Sequence, residues 1–162
     1  MTVMKKDKQL KIGLDFHGVI STRPRFFADF SAEALGRGYE IHVITGGPET
    51  LIRDELKRLS IDYTAIFAIM DAYKDCPAVA TYRDGELHID DKVWNMAKAE
   101  YCRNHGIDLH IDDSNAYVKW FTTPYCRYGN GCCLTNKGYV LDFNKPATMV
   151  IDSIEKALFF NE

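Results

Sequence analysis

Short apolar runs alternate with stretches of helical spacing along this sequence, and three of the runs end in a polar residue. Leu10–Asp15 ends in an acid, Tyr39–Thr45 (YEIHVIT) in a threonine, and Ile107–Asp112 (IDLHID) in an acid again. Thr64–Met70 (TAIFAIM) is a further run, and Trp120–Thr123 is read as a fifth. Pro24 opens a helix pattern with Phe26, Phe27, Phe30, Ala34 and Leu35 on one face, closed by Gly36 and Gly38. After the Gly46-Gly47-Pro48 turn, Leu51, Ile52, Leu56 and Leu59 repeat that spacing. Asn95 is read as the cap of a helix running to His105, with Gly106 as its stop. Strands that alternate with helices in this way predict an α/β, Rossmann-like three-layer sandwich with a mostly parallel five-stranded sheet. Two small β-hairpins are added: Val79–Arg83 with Glu86–Ile89 around Asp84-Gly85, and Cys132–Thr135 with Tyr139–Phe143 around Asn136-Lys137-Gly138. A last helix is expected from Pro146 to about Phe160.

At 162 residues the chain fits one domain, expected to span 1–162. A formal net charge of −3 argues against broad nucleic-acid binding, which favours a basic surface. No apolar run reaches the ~20 residues of a membrane span, and no long apolar region follows the N-terminal lysines. A cytoplasmic protein without a secretory signal is therefore expected. Five cysteines, Cys76, Cys102, Cys126, Cys132 and Cys133, form no CxxC pair. They are read as reduced thiols, against the alternative of a Cys126, Cys132 and Cys133 metal site.

In an open parallel sheet the carboxyl ends of the strands line one edge, where ligands bind. Asp15, Thr45, Asp112 and Asp113 are therefore expected to converge. Clustered carboxylates repel one another, and a hard cation such as Mg2+ relieves the repulsion. One carboxylate can attack phosphorus, while a hydroxyl and the amides of a helix start hold phosphate oxygens. Thr45, Gly46 and Gly47 sit where a strand hands over to a helix.

On these motifs the chain resembles the haloacid dehalogenase (HAD) superfamily of phosphatases and phosphotransferases. The first family motif reads IGLDFHGVI, the second IHVITGG and the fourth LHIDDS. The third is a lysine upstream of the fourth, with Lys98 preferred to Lys92. The stretch from KAEYC to IDDS is also similar to the small nucleotidase-like branch of the family. The resemblance implies a Mg2+-dependent phosphatase with Asp15 as nucleophile, assisted by Thr45 and Lys98. It implies metal ligation by Asp15, Asp112 and Asp113, with Asp113 in direct contact, Asp112 behind it, and a backbone carbonyl at residue 17. Ser114 either orients these acids or caps the next helix.

The chain departs from the family at residue 17, where His17 stands in place of the acid–base aspartate. Histidine can donate a proton to a leaving oxygen and take one from water. The alternative is a catalytically silent module that binds phosphate or a partner. His42, His88 and His110 are read as surface or sheet-face residues rather than ligands.

Neither insertion point for a cap domain holds a large one, so a capless, open site is expected. It would take a phosphorylated small molecule or an exposed phosphate on a larger molecule, with room for a homo-oligomer that covers the site. Substrate contacts are assigned to Thr45, Gly46, Gly47 and Arg23. Arg23 and Arg25 either bind a second anionic group or are solvated. Tyr125, Arg127 and Tyr128 either line the rim or form an ordinary loop.

Overall fold

Strand β1 (Lys11–Leu14) is the middle of the molecule because Ile12, Gly13 and Leu14 are buried on both faces. The computed structural model describes residues 8–129 and 131–159. Around β1 lie β2 (Glu40–Thr45), β3 (Ala65–Ala68), β6 (Leu109–Asp112) and β7 (Tyr125–Arg127), in the order β3-β2-β1-β6-β7. Every pair in this sheet is parallel. Two antiparallel hairpins complete the strands: β4 (Ala80–Arg83) with β5 (Glu86–Ile89), and β8 (Cys132–Leu134) with β9 (Val140–Asp142).

The helices follow from handedness. From β1 the chain steps outward through α1 (Pro24–Gly36) to β2, and through α2 (Glu49–Arg58) to β3. Right-handed crossovers put both helices on one face. There Phe27, Phe30, Ile52 and Leu56 pack on Ile12, Leu14, Ile41 and Val43. The return from β3 runs through a short helix, α3 (Ile69–Tyr73), the first hairpin and α4 (Asp91–Asn104). It crosses to β6 on the far side of β1, so α4 covers the opposite face, where Ala99, Tyr101 and Cys102 meet Ile44, Phe121 and Tyr125. Helix α5 (Ala147–Phe159) closes the first face beside α1.

Four sequence readings are corrected. The fifth strand is Tyr125–Arg127, not Trp120–Thr123. Residues Val118–Trp120 form a 3-10 turn, and the β6 ladder meets this edge only at Pro124, whose carbonyl accepts from the His110 amide. Phe121 is buried as cover for the sheet rather than as part of it. Helix α4 starts at Asp91, because the Asp90 carboxylate accepts from the Lys92 and Val93 amides and caps it; Asn95 lies inside. Lys98 therefore sits two turns into the helix instead of opening it. The third run turns helical at Ile69. The expected helix end at Phe160 lies outside the described residues. Among the described residues no helix is long and apolar enough to cross a membrane.

Candidate active site

The sheet reverses direction of growth between β1 and β6, and the loops leaving those two strands part there. Such a parting makes a crevice at the carboxyl edge. A cleft of about 400 Å³ lies at that place. Asp15, His17, Thr45, Gly46, Gly47, Lys98, Asp112 and Asp113 all line it.

Register explains why two acids meet. Gly13 is paired with His110, and Leu14 with Ile111, so the next residues, Asp15 and Asp112, stand side by side. The Asp15 amide donates to the Ile111 carbonyl and fixes that level. Both acids point to the face covered by α4, from which Lys98 reaches in. Its ammonium lies 2.8 Å from Asp112 Oδ2 and 3.2 Å from Asp15 Oδ1. Lys98 is 3% exposed, so this ammonium is held by carboxylates rather than by water. Lys92 is exposed at the start of the same helix.

Asp113 is exposed and rests against the loop after β1. Gly18 makes this possible: its φ is +81°, and a Cβ there would stand 2.1 Å from Asp113 Oδ2. Oxygens of Asp15, Asp112 and Asp113 lie within 4.8 Å of one another. It is the one such group of potential metal ligands among the described residues. The three cysteines Cys126, Cys132 and Cys133 do not form one, and all five thiols are free.

Burial pushes the Asp15 carboxyl up to about 7; Lys98 pulls it down, while Asp112 and Asp113 push it further up. Burial also opposes the charge on Asp112, but bonds from His110 and attraction to Lys98 win and hold it well below the carboxylate range. For Lys98 burial opposes the charge, and the two aspartates outweigh it and raise its pKa. The site is therefore a desolvated charge cluster whose members keep one another ionised except at Asp15, where carboxylate repulsion concentrates.

Hydrogen bonds divide the oxygens. Asp15 Oδ1 accepts from the Phe16 amide at 2.9 Å and faces Lys98; Oδ2 takes no hydrogen bond among the described residues. Asp112 Oδ1 accepts from the Ser114 amide at 3.0 Å. Thr45 is fully buried, lines the cleft, and its hydroxyl has no partner. A buried hydroxyl left unpaired is unfavourable, which marks it as a group awaiting a ligand oxygen.

His17 is exposed at the cleft, with its ring edge-on to Phe16 at 5.1 Å. Arg23 lies elsewhere: its guanidinium donates to the Phe143 carbonyl at 2.6 Å and stacks over Phe26, outside the cleft lining. Arg25 is exposed on α1. Tyr125 is not a rim residue, being buried with its hydroxyl on the Ser114 carbonyl. Tyr128 packs edge-on to Phe27 and Phe143, and Arg127 is exposed.

Three residues of the site carried no sequence signal. Trp94 and Tyr117 roof the cleft, the indole N–H donating to the Tyr117 hydroxyl at 3.3 Å and the Tyr117 ring standing 5.1 Å from Lys98 Nζ. The third is His110, a sheet-face residue as expected, yet fully buried and bonded to Asp112. No protein-family model matches the sequence, and no curated protein matches it.

Proposed function

We propose that the chain is a Mg2+-dependent phosphatase of the haloacid dehalogenase type, acting on a phosphate monoester through Asp15. The observation that carries this reading is the buried Asp15–Lys98–Asp112 chain beside the unpartnered Thr45 hydroxyl at the carboxyl edge of a parallel sheet. The donor set fits a hard divalent cation: oxygen ligands only, with three carboxylates against one ammonium. Asp15, Asp112 and Asp113 would hold the ion, with the backbone carbonyl of His17 as a further oxygen. Bound there, it neutralises charge on the phosphoryl oxygens.

The chain's own groups account for the steps. Asp15 Oδ2, free of hydrogen bonds, attacks phosphorus and becomes the aspartyl-phosphate. The P–O bond to the alcohol breaks, and protonated His17 gives its proton to that oxygen. Neutral His17 then takes a proton from water, whose oxygen attacks phosphorus and releases phosphate and Asp15. Lys98, the Thr45 hydroxyl and the backbone at Gly46 and Gly47 hold the non-bridging oxygens.

The segments that could carry a cap hold α1 on one side, and α3 with the β4–β5 hairpin on the other. We read the chain as one domain with an open cleft, suited to a small phosphorylated molecule or an exposed phosphate on a larger one.

The test is hydrolysis of an aryl phosphate with and without Mg2+, beside Asp15→Asn. Turnover that needs Mg2+ and vanishes in Asp15→Asn is the expected result. Equal release of phosphate by both proteins would overturn the reading. The exposed ring of His17, longer than the carboxylate it replaces, favours a second reading as a phosphate-binding module. Activity that appears only in His17→Asp would select that module, and loss of a measurable rate in His17→Ala would select the enzyme.

A further inference from the structure

His110 takes no part in the steps above, yet the site is built around it. It lies on β6 two residues before Asp112, fully buried, with Nε2 3.0 Å from Asp112 Oδ2. That oxygen also receives Lys98 at 2.8 Å, so an acceptor-only carboxylate oxygen carries two donors. The proton of the imidazole therefore sits on Nε2. Its Nδ1 has no partner.

The ring is wedged from several sides. Phe121 stacks on it at 5.3 Å with planes 6° apart, and Tyr125 meets it edge-on at 5.7 Å. On β1 the register partner is Gly13, where a Cβ would stand 2.6 Å from Nδ1. A glycine inside the central strand weakens that strand, and an unpartnered ring nitrogen wastes a buried polar atom. Both unfavourable features are explained by a single hydrogen bond, the one to Asp112.

We infer that His110 is a positioning residue for the acidic group: it clamps Oδ2 of Asp112, so that Oδ1 keeps a lone pair for a divalent cation and Lys98 stays shared with Asp15. This rests on the reading of Asp15, Asp112 and Asp113 as a cation site. Oδ1 accepts only the Ser114 amide, which leaves it that lone pair. Without the imidazole, Oδ2 would be answered by Lys98 alone, and the ammonium would be drawn from Asp15, already the longer of its two contacts.

The experiment is Mn2+ binding to the full chain, followed by electron paramagnetic resonance, with thermal unfolding of the metal-free proteins alongside. Wild type is compared with His110→Leu, His110→Gln, His110→Asn and Asp113→Asn. A glutamine places its amide nitrogen as many bonds from Cα as Nε2; an asparagine amide stops at the level of Nδ1. We expect His110→Leu to weaken Mn2+ binding by about 10–100-fold. His110→Gln should restore most of it and His110→Asn should not, whatever the order of their melting temperatures. Equal affinity in wild type, Leu and Asn proteins would overturn the inference and leave the cation site standing. Affinities that simply follow the melting temperatures would assign His110 a structural role and overturn it as well. If His110→Leu does not fold, the Gln and Asn proteins decide, and equal affinities in those two overturn it. Wild type that binds no better than Asp113→Asn would overturn the cation site itself.

Discussion

Thr45 and Asp15 each weaken the empty fold in a way a bound phosphate would repair. The Thr45 hydroxyl is fully buried without a partner, so Thr45→Val keeps the branched shape and removes an unfavourable group. We expect its melting temperature to hold or rise, while inorganic phosphate or a phosphate monoester binds about tenfold more weakly. Calorimetric titration reads both ends; unchanged affinity would show that the hydroxyl does not meet the ligand. Asp15 is a sharper case. Its carboxyl is raised from 3.8 to about 7 by burial. In the metal-free protein the folded chain keeps a proton that the unfolded chain sheds across that window. Its contribution to stability is present below about pH 4 and is lost as pH rises through 7. Asp15→Asn removes this loss. In EDTA it should be more stable than wild type by on the order of 2 kcal/mol at pH 8, with the gap closing toward pH 4. Denaturant melts at the two pH values check the sign, and a gap that widens on acidification would refute it.

At the scale of elements, the strand ends were legible and the connections less so. An apolar run that stops at Asp15, Thr45 or Asp112 can be read directly, because one polar residue at the end of a buried strand has few places to go except the sheet edge. The Trp120–Thr123 reading failed because aromatic residues that cover a sheet look like residues that form one, and Pro124 rather than hydropathy sets where pairing begins. Asn95 lost to Asp90 because the capping carboxylate must reach amides two and three residues on, a local geometry the β5 exit provides. His110 was legible only as a sheet-face residue: its partner Gly13 lies 97 positions away, and nothing short of strand pairing brings them together. The cap offers a test of how α4 holds Lys98. Asp90→Ala should cost about 1 kcal/mol, lowering the melting temperature by roughly 2–4 °C. Lys98 sits two turns further on, among buried Ala97, Ala99, Tyr101 and Cys102, so packing should hold it in place. Turnover per folded molecule should then equal wild type; a large fall would mean that the helix start, not the packed face, positions the lysine.

For the whole molecule the decisive quantity is charge. The chain carries a formal net charge of −3. Three carboxylates against the single Lys98 ammonium place two net negative charges in one partly desolvated cleft. Covering helices α1, α2 and α5 pack the opposite face, so nothing in the core can answer that excess. A divalent cation matches it in sign and size, and Asp113, exposed at the lip, gives it a way in. Binding to the folded chain alone stabilises by mass action, about 2.7 kcal/mol at a hundredfold excess over Kd. For a chain of this length that is roughly 5–10 °C in melting temperature. We expect Mg2+ or Mn2+ to raise the melting temperature saturably, and EDTA to reverse it. NaCl at matched ionic strength should do little, because screening acts on exposed charges and not on a buried cluster. Asp113→Asn removes one ligand and one of the two excess charges, so its response should need much more metal. Asp15→Asn, already relieved of its buried carboxylate, should start higher and gain less. A rise of the same size in NaCl, or an undiminished rise in Asp113→Asn, would show that the cations act on the surface and not in the cleft.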